Sequence, residues 1–247
     1  MSGRRASIQP PDLKSLGQVA HGGRLLLFIS KKSATSRLAW LYLLQNKLNF
    51  DLINVDESGE HLRQLQLANP HETVPCLVDG DTVVYECPAI IQYLAEEYTD
   101  KQGMGSTLSE QIQAMSTMHW AHNTLQRCVI TNYVYVMMKN SELSDPEAAM
   151  ALTQTAKTDI RQHLQTLDTH YLGKSKFLFG NDCLFVDCFV AMLLTTLDLV
   201  SFDFKPFPRV KQWMTNVKQL YEDNWEEVCE THNMQVMQRG SRRASLM

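Results

Sequence analysis

The sequence has no surplus of basic residues. Lys and Arg together number 23, against 27 Asp and Glu, which gives a formal net charge of -4 and a pI near 6.1. A protein whose main partner is nucleic acid usually carries a basic patch that raises its pI. This balance argues against nucleic acid as the principal partner.

Long apolar runs are also missing. No stretch approaches the roughly 20 apolar residues that a membrane-spanning helix needs. Residues 1–22 contain Arg, Ser, Pro and Gly without an apolar core, so we expect neither a secretory signal nor a membrane partner. The sequence therefore predicts a soluble, cytoplasmic protein.

The cysteines lack the close spacing of a disulfide framework or a zinc site. All six, at positions 76, 87, 128, 183, 188 and 229, are scattered among apolar neighbours without a CxxC pair, and reduced thiols are the simplest interpretation. His119 and His122 form an HxxH pair on a predicted helix, but no third ligand accompanies them. No metal site is predicted.

Residues 24–100 alternate short apolar runs with helical patterns. LLLFIS is typical of a buried strand, SATSRLAWLYLLQNKL has helical spacing, and FDLINVD predicts a second strand. A short helix follows, GEHLRQLQLAN, and then two strands around a turn and the Pro-led helix CPAIIQYLAEEY. The order β-α-β-α-β-β-α predicts an α/β, thioredoxin-like N-terminal domain.

The second half of the chain is helical in period. Gly103, Gly105 and Ser106 mark a linker, and residues 107–232 predict an all-α C-terminal domain. Its segment VDCFVAMLLTTLDLV is apolar nearly all round, which indicates a buried helix. Residues 1–22 and 233–247 are predicted to be flexible tails.

Four segments of the sequence resemble motifs of a known protein family. NPHETVPCLVDGDTVVYECPAI (residues 69–90) is similar to the NPxxxVPxLxDGxxxxxESxAI signature of the cytosolic glutathione transferases. GNDCLFVD (residues 180–187) and FPRVKQW (residues 207–213) resemble two further motifs of that family. SATSR (residues 33–37) looks most like the delta and epsilon classes, whose thiol activator is a serine in this turn.

The resemblance implies a site for glutathione as co-substrate. Ser33 would donate a hydrogen bond to the sulfur and stabilise the thiolate, although from the residues alone it could equally be only a helix cap. A cis Val74–Pro75 bond would offer a backbone edge to the tripeptide, and the helix starting at Pro88 would direct its N–H groups at a carboxylate. The predicted glutathione-binding residues are His71, Glu72, Thr73, Val74, Pro75, Glu86 and Cys87.

Three positions depart from the family pattern. Cys87 replaces a serine that caps the helix, at a cost of about 1 kcal/mol on the scale of one hydrogen bond. Glu72 puts negative charge where delta and epsilon proteins commonly have histidine, and Pro88 replaces a frequent arginine. These departures keep a non-catalytic member, acting in binding or assembly, as the alternative to an enzyme.

Other residues have weaker predicted roles. Asp187 is expected to be structural, with the serine or threonine of its capping box replaced by Leu184, and Arg37 is expected at a subunit interface or on a helix surface. An apolar electrophile pocket would include Met115, Met118, His119 and His122, although most such residues on this helix could simply be core.

The predicted function is therefore a transferase that conjugates the glutathione thiolate to an apolar electrophile, as in detoxification. The resemblance also implies a two-fold homodimer. GRRASI and SRRASLM, at opposite ends of the chain, resemble targets of a basophilic kinase and predict phosphorylation of Ser7 and Ser245.

Overall fold

The structure, a computed structural model, describes residues 24–139 and 144–244. Residues 1–22, predicted as a tail, lie outside the described residues. So do Ser7 and Ser245, the two predicted phosphorylation sites, which remain predictions.

A four-stranded mixed sheet forms the N-terminal half, in the order β2-β1-β3-β4. Strand β1 (Leu25–Ile29) runs parallel to β2 (Phe50–Asn54) and antiparallel to β3 (Cys76–Asp79), and β3 pairs antiparallel with β4 (Thr82–Tyr85). All five residues of β1 are buried because helices cover both faces of the central strand.

Three helices cover this sheet: α1 (Ala34–Gln45), α2 (Gly59–Ala68) and α3 (Cys87–Tyr98). Alternate residues of β1 point to opposite faces, so Leu26 and Phe28 pack with Leu65 of α2. Leu27 and Ile29 join the larger core that contains α1 and α3. This arrangement confirms the predicted thioredoxin-like fold.

The C-terminal half is helical. Helix α4 (Leu108–Trp120) continues through π-helical turns at Ala121–Leu125 and Arg127–Tyr135 into α5 (Val136–Lys139). The remaining helices are α6 (Pro146–Thr166), which ends in a π-helical turn at Leu167–Tyr171; α7 (Phe185–Thr195), followed by a 3-10 turn at Thr196–Val200; α8 (Pro208–Leu220); and α9 (Glu222–Ala244).

Helix α7 is the centre of this half, as predicted. Its first ten residues are all buried. The fully buried Asp187 carboxylate accepts the Leu184 N–H at 3.0 Å, the Leu178 N–H at 2.9 Å and the Trp213 Nε1–H at 2.8 Å. Half of a capping box therefore forms although Leu184 has no hydroxyl, and the same carboxylate ties α7 to α8.

Two expectations differ from the structure, for a common reason. The chain after His232 is a helix through Ala244 rather than a tail, and Val236 on it packs against the core. Arg37 does not lie on a surface: it is fully buried, and its Nη1 stands 3.4 Å from Cys229 Sγ. In both cases α9 lies on the first turn of α1, a contact that no local pattern reveals.

Candidate functional site

The turn between β1 and α1 places hydroxyl groups at a helix start. Ser33 is the N-cap residue, and its Oγ accepts the Ser36 N–H at 3.3 Å and lies 3.0 Å from Thr35 Oγ1. A cap uses only an oxygen lone pair, so the single O–H of Ser33 is free to donate when Thr35 is the donor in their contact. Capping and thiol activation, the two alternatives for Ser33, are compatible in this geometry.

The Val74–Pro75 peptide bond is cis, as the resemblance implied. The loop before it is held by Asn69, which is fully buried and donates from Nδ2 to the Thr73 carbonyl at 2.9 Å and to Thr73 Oγ1 at 3.1 Å. Asn69 Oδ1 also accepts the His71 N–H at 3.0 Å. Sequence reasoning missed this positioning role, although Asn69 opens the quoted NPxxxVP motif.

A cavity of about 240 Å³ opens beside the cis peptide bond. It unites most of the predicted glutathione-binding residues with the first turn of α1 and with the helical domain. Its walls are formed by Thr35, Thr73, Val74, Pro75, Glu86, Cys87, His122 and Gln126. Ser33 adjoins this cavity through its contact with Thr35.

Two predicted residues, His71 and Glu72, lie outside this cavity. Both are exposed, and the ring of His71 stands 5.2 Å from that of Tyr85. The backbone of Glu72 has a φ of 55°, and its carboxylate accepts from Gln66 Nε2 at 3.1 Å. The negative charge of Glu72 therefore lies outside the cavity, where Gln66 donates a hydrogen bond to it.

Helix α3 begins one residue before its proline. Glu86 is the N-cap residue and has a φ of 69°, a left-handed conformation that is strained for a residue with a side chain. Cys87 is the first helical residue rather than the cap, and it is fully buried. Burial raises the pKa of the Cys87 thiol far above its usual range, so this thiol stays protonated.

The helical domain completes the cavity with two side chains from the π-helical turns after α4. His122 Nε2 lies 2.7 Å from Glu86 Oε2, which joins the two domains across the cavity. His122 Nδ1 and Gln126 Oε1 are buried and have no hydrogen-bond partner among the described residues. Over the part of the chain that the structure describes, two buried polar atoms beside the cavity are therefore unpaired, which is uncommon in a folded protein.

Comparison with known proteins shows a similarity to glutathione transferases. Residues 27–102 match the model of the glutathione S-transferase N-terminal domain. Glutathione S-transferase D7 of Drosophila melanogaster is 25% identical over 198 residues, covering 79% of this chain and 81% of the relative. Glutathione S-transferase theta-1 of Bos taurus is 26% identical over 198 residues, covering 78% and 82%. The chain is therefore similar to glutathione transferases, both in its N-terminal domain and over most of its length.

A solved structure shares the fold of this chain. The human glutathione-S-transferase T1-1, in its apo form, superposes with a TM-score of 0.74 at 23% identity. The superposition covers 84% of this chain and 88% of the human chain, so both halves of the glutathione transferase fold are present.

The residues predicted for the electrophile pocket are not brought together. His122 lines the cavity, but Met118 is fully buried in the core and His119 is exposed. Met115 lines a separate groove toward α3, beside Gln92. Met118 packs into the core cluster, whereas His122, one helical turn later, lines the cavity, so helical spacing alone did not separate core residues from cavity residues.

The HxxH pair does not form a chelate, because His122 is directed at Glu86 while His119 faces solvent. Within residues 24–139 and 144–244, no group of three or more His, Cys, Asp and Glu side chains is placed to hold a metal ion. Over the same ranges, no helix combines the length and the apolar character needed to cross a membrane.

Proposed function

We propose that this protein is a glutathione transferase that adds the glutathione thiolate to a small apolar electrophile. One observation carries the proposal: a single cavity joins the cis-proline edge, the start of α3 and the first turn of α1. Each of these suits a different part of an anionic tripeptide that carries a thiol on its central residue.

The cavity offers complementary partners to the tripeptide. The free backbone edge at Val74 pairs with the peptide groups of glutathione as an added strand does. The first N–H groups of α3, with the positive end of its dipole, bind a carboxylate of the γ-glutamyl residue. The carboxylate of Glu86 pairs with the ammonium of that residue.

The start of α1 activates the thiol. Ser33 donates its O–H to the sulfur, and the helix N-terminus favours the negative charge that develops there. Thr35 lies between Ser33 and the cavity, and its hydroxyl keeps the Ser33 side chain in position through their 3.0 Å contact. The thiolate is then the nucleophile toward the second substrate.

Calorimetric titration with glutathione and a conjugation assay with a generic aryl halide test this function. We expect binding and turnover, and Ser33→Ala should lower kcat by about tenfold to a hundredfold while changing the Kd for glutathione little. Ser116→Ala, an exposed serine of α4, is the matched control. Absence of both heat and turnover in the unmodified protein would refute the proposal.

The altered polar positions favour a second candidate, a non-catalytic member that uses the fold for binding or assembly. His71 and Glu72 face away from the cavity, and Cys87 offers a weaker donor than serine. Heat of glutathione binding without turnover, for several aryl halides and epoxides, would select this alternative.

We also propose a two-fold homodimer in the cytoplasm, with a role in detoxification. Leu108 and Ile112 on α4 are 74% and 59% exposed, and Tyr98 at the end of α3 is 43% exposed. Apolar side chains this exposed gain by pairing with a second copy of the chain. Light scattering at micromolar concentration should give twice the chain mass, and a monomer would refute the proposed assembly.

A further inference from the structure

A second cavity, of about 250 Å³, lies between α7, α8 and α9. It has no residue in common with the cavity beside the cis peptide bond. We call it the α7–α9 cavity. Its walls are formed by Ala191, Thr195, Asp198, Phe204, Lys211, Met214, Thr215, Lys218, Trp225, Cys229, His232 and Asn233.

The floor of the α7–α9 cavity contains a buried hydrogen-bond acceptor. His232 is 3% exposed and hydrogen-bonds to the backbone of Thr195. Burial, helped by the charge of Arg37, lowers the pKa of His232 to about 4, so the ring is neutral at pH 7. A neutral ring that donates through one nitrogen carries a lone pair on the other. That nitrogen, Nε2, is buried and has no partner among the described residues.

The rest of the floor is formed by apolar side chains, and a buried arginine lies behind them. Ala191, Trp225 and Cys229 are buried and form its apolar surface. Behind Cys229 lies the guanidinium of Arg37, whose Nε and Nη2 also have no partner within the described residues. No carboxylate lies at hydrogen-bond distance from this guanidinium within the described residues, and Asp198 on the cavity wall offsets part of its charge through space.

The mouth of the α7–α9 cavity carries two lysine side chains. Lys211 and Lys218 stand there, and Lys218 Nζ is bound by Glu226 at 2.7 Å. No ion pair of Lys211 occurs within the described ranges, and Asp198 is the only acidic residue among those that line the cavity. Lys211 is therefore the cation best placed to meet an incoming anion.

We propose that the α7–α9 cavity binds a small phenolic carboxylate. The hydroxyl of the ligand donates to His232 Nε2 on the floor, the aromatic ring packs against Trp225 and Ala191, and the carboxylate pairs with Lys211 at the mouth. This site is independent of the proposed transferase activity, since it shares no residue with the glutathione cavity.

Calorimetry with four matched probes tests the hydrogen bond and the charge separately. 4-Hydroxybenzoate should bind, whereas benzoate lacks the donor and phenol lacks the carboxylate, so each should bind about tenfold more weakly. Tyramine, which replaces the carboxylate by an ammonium on a longer arm, should not bind. Equal binding of benzoate and 4-hydroxybenzoate would overturn the assignment of His232 as the acceptor.

Three variants locate the probe on the protein. Lys211→Gln should weaken 4-hydroxybenzoate binding about tenfold, while Lys174→Gln, an exposed lysine outside the cavity, should leave it unchanged. His232→Phe should remove the preference for the hydroxylated probe, and if it fails to fold, Lys211→Gln and the probe series still decide. Absence of 4-hydroxybenzoate binding at millimolar concentration, or its displacement by glutathione, would overturn the proposal.

Discussion

Asp187 offers the sharpest test of how the helical domain is held together. Its Oδ1 accepts from the Leu178 N–H and from Trp213 Nε1–H, and its Oδ2 accepts from the Leu184 N–H. In an Asp187→Asn variant the amide oxygen can keep the first two donors, but the NH₂ group then faces the Leu184 N–H. One charge-assisted bond is lost and one buried donor is left unpaired.

The expected cost of Asp187→Asn is about 3 kcal/mol, because each of these two changes is worth roughly 1 to 3 kcal/mol. For a chain of this size, 1 kcal/mol corresponds to about 2 to 4 °C, so we expect the melting temperature to fall by about 6 to 12 °C. Burial raises the pKa of Asp187 to about 6, so the comparison belongs at a pH of about 7.5, where the carboxylate is charged.

Calorimetric melting and urea unfolding measure this change, with Asp159→Asn on the exposed face of α6 as the matched control. The control should stay within about 0.5 kcal/mol of the unmodified protein. Trp213→Phe removes one donor, and a double-mutant cycle with Asp187→Asn should show a coupling of about 1 kcal/mol. If Asp187→Asn melts within about 2 °C of the unmodified protein, the reasoning from its three donors is wrong.

Three further predictions concern the two cavities. Cys87→Ser should tighten glutathione binding up to about fivefold in a calorimetric titration, because a hydroxyl is a better donor than a thiol; weaker binding would contradict this. Glu86→Gln should weaken glutathione binding about tenfold, and an unchanged Kd would mean that the pairing with His122 keeps Glu86 from the ligand. His232 has a folded pKa of about 4, below its ordinary value near 6.5. Its contribution to stability should be complete above about pH 6.5 and lost as pH falls toward 4. Urea midpoints that decline equally in the unmodified protein and in His232→Phe would refute this reasoning.

Local sequence patterns predicted the elements of this fold because each pattern depends on neighbouring residues. The apolar run of β1, the helical spacing of α1 and the all-round apolar character of α7 are properties of short segments. The cis bond before Pro75 was available through the family motif rather than through any physical signal in the chain.

The environment of single side chains was not predictable in the same way. The sequence of α1 predicts Arg37 on the helix surface. In the structure Arg37 is buried, because α9 packs against α1 at this position. Met118 and His122 fit one helical face in the sequence, but Met118 is buried in the core while His122 lines the cavity. A periodicity shows which face is apolar, and it does not show what covers that face.

The contact between Arg37 and Cys229 also bears on how the chain is made. The two residues are separated by 192 positions, so α1 lacks this covering helix until α9 has been synthesised. At about 5 to 20 residues per second, α1 waits on the order of 10 to 40 s on the ribosome with that side open. The N-terminal half can form its sheet early, but the first turn of α1, which Ser33 caps, is covered by α9 only when that helix emerges. A nascent chain stalled before α9 should therefore be a good substrate for chaperones that bind exposed apolar helices.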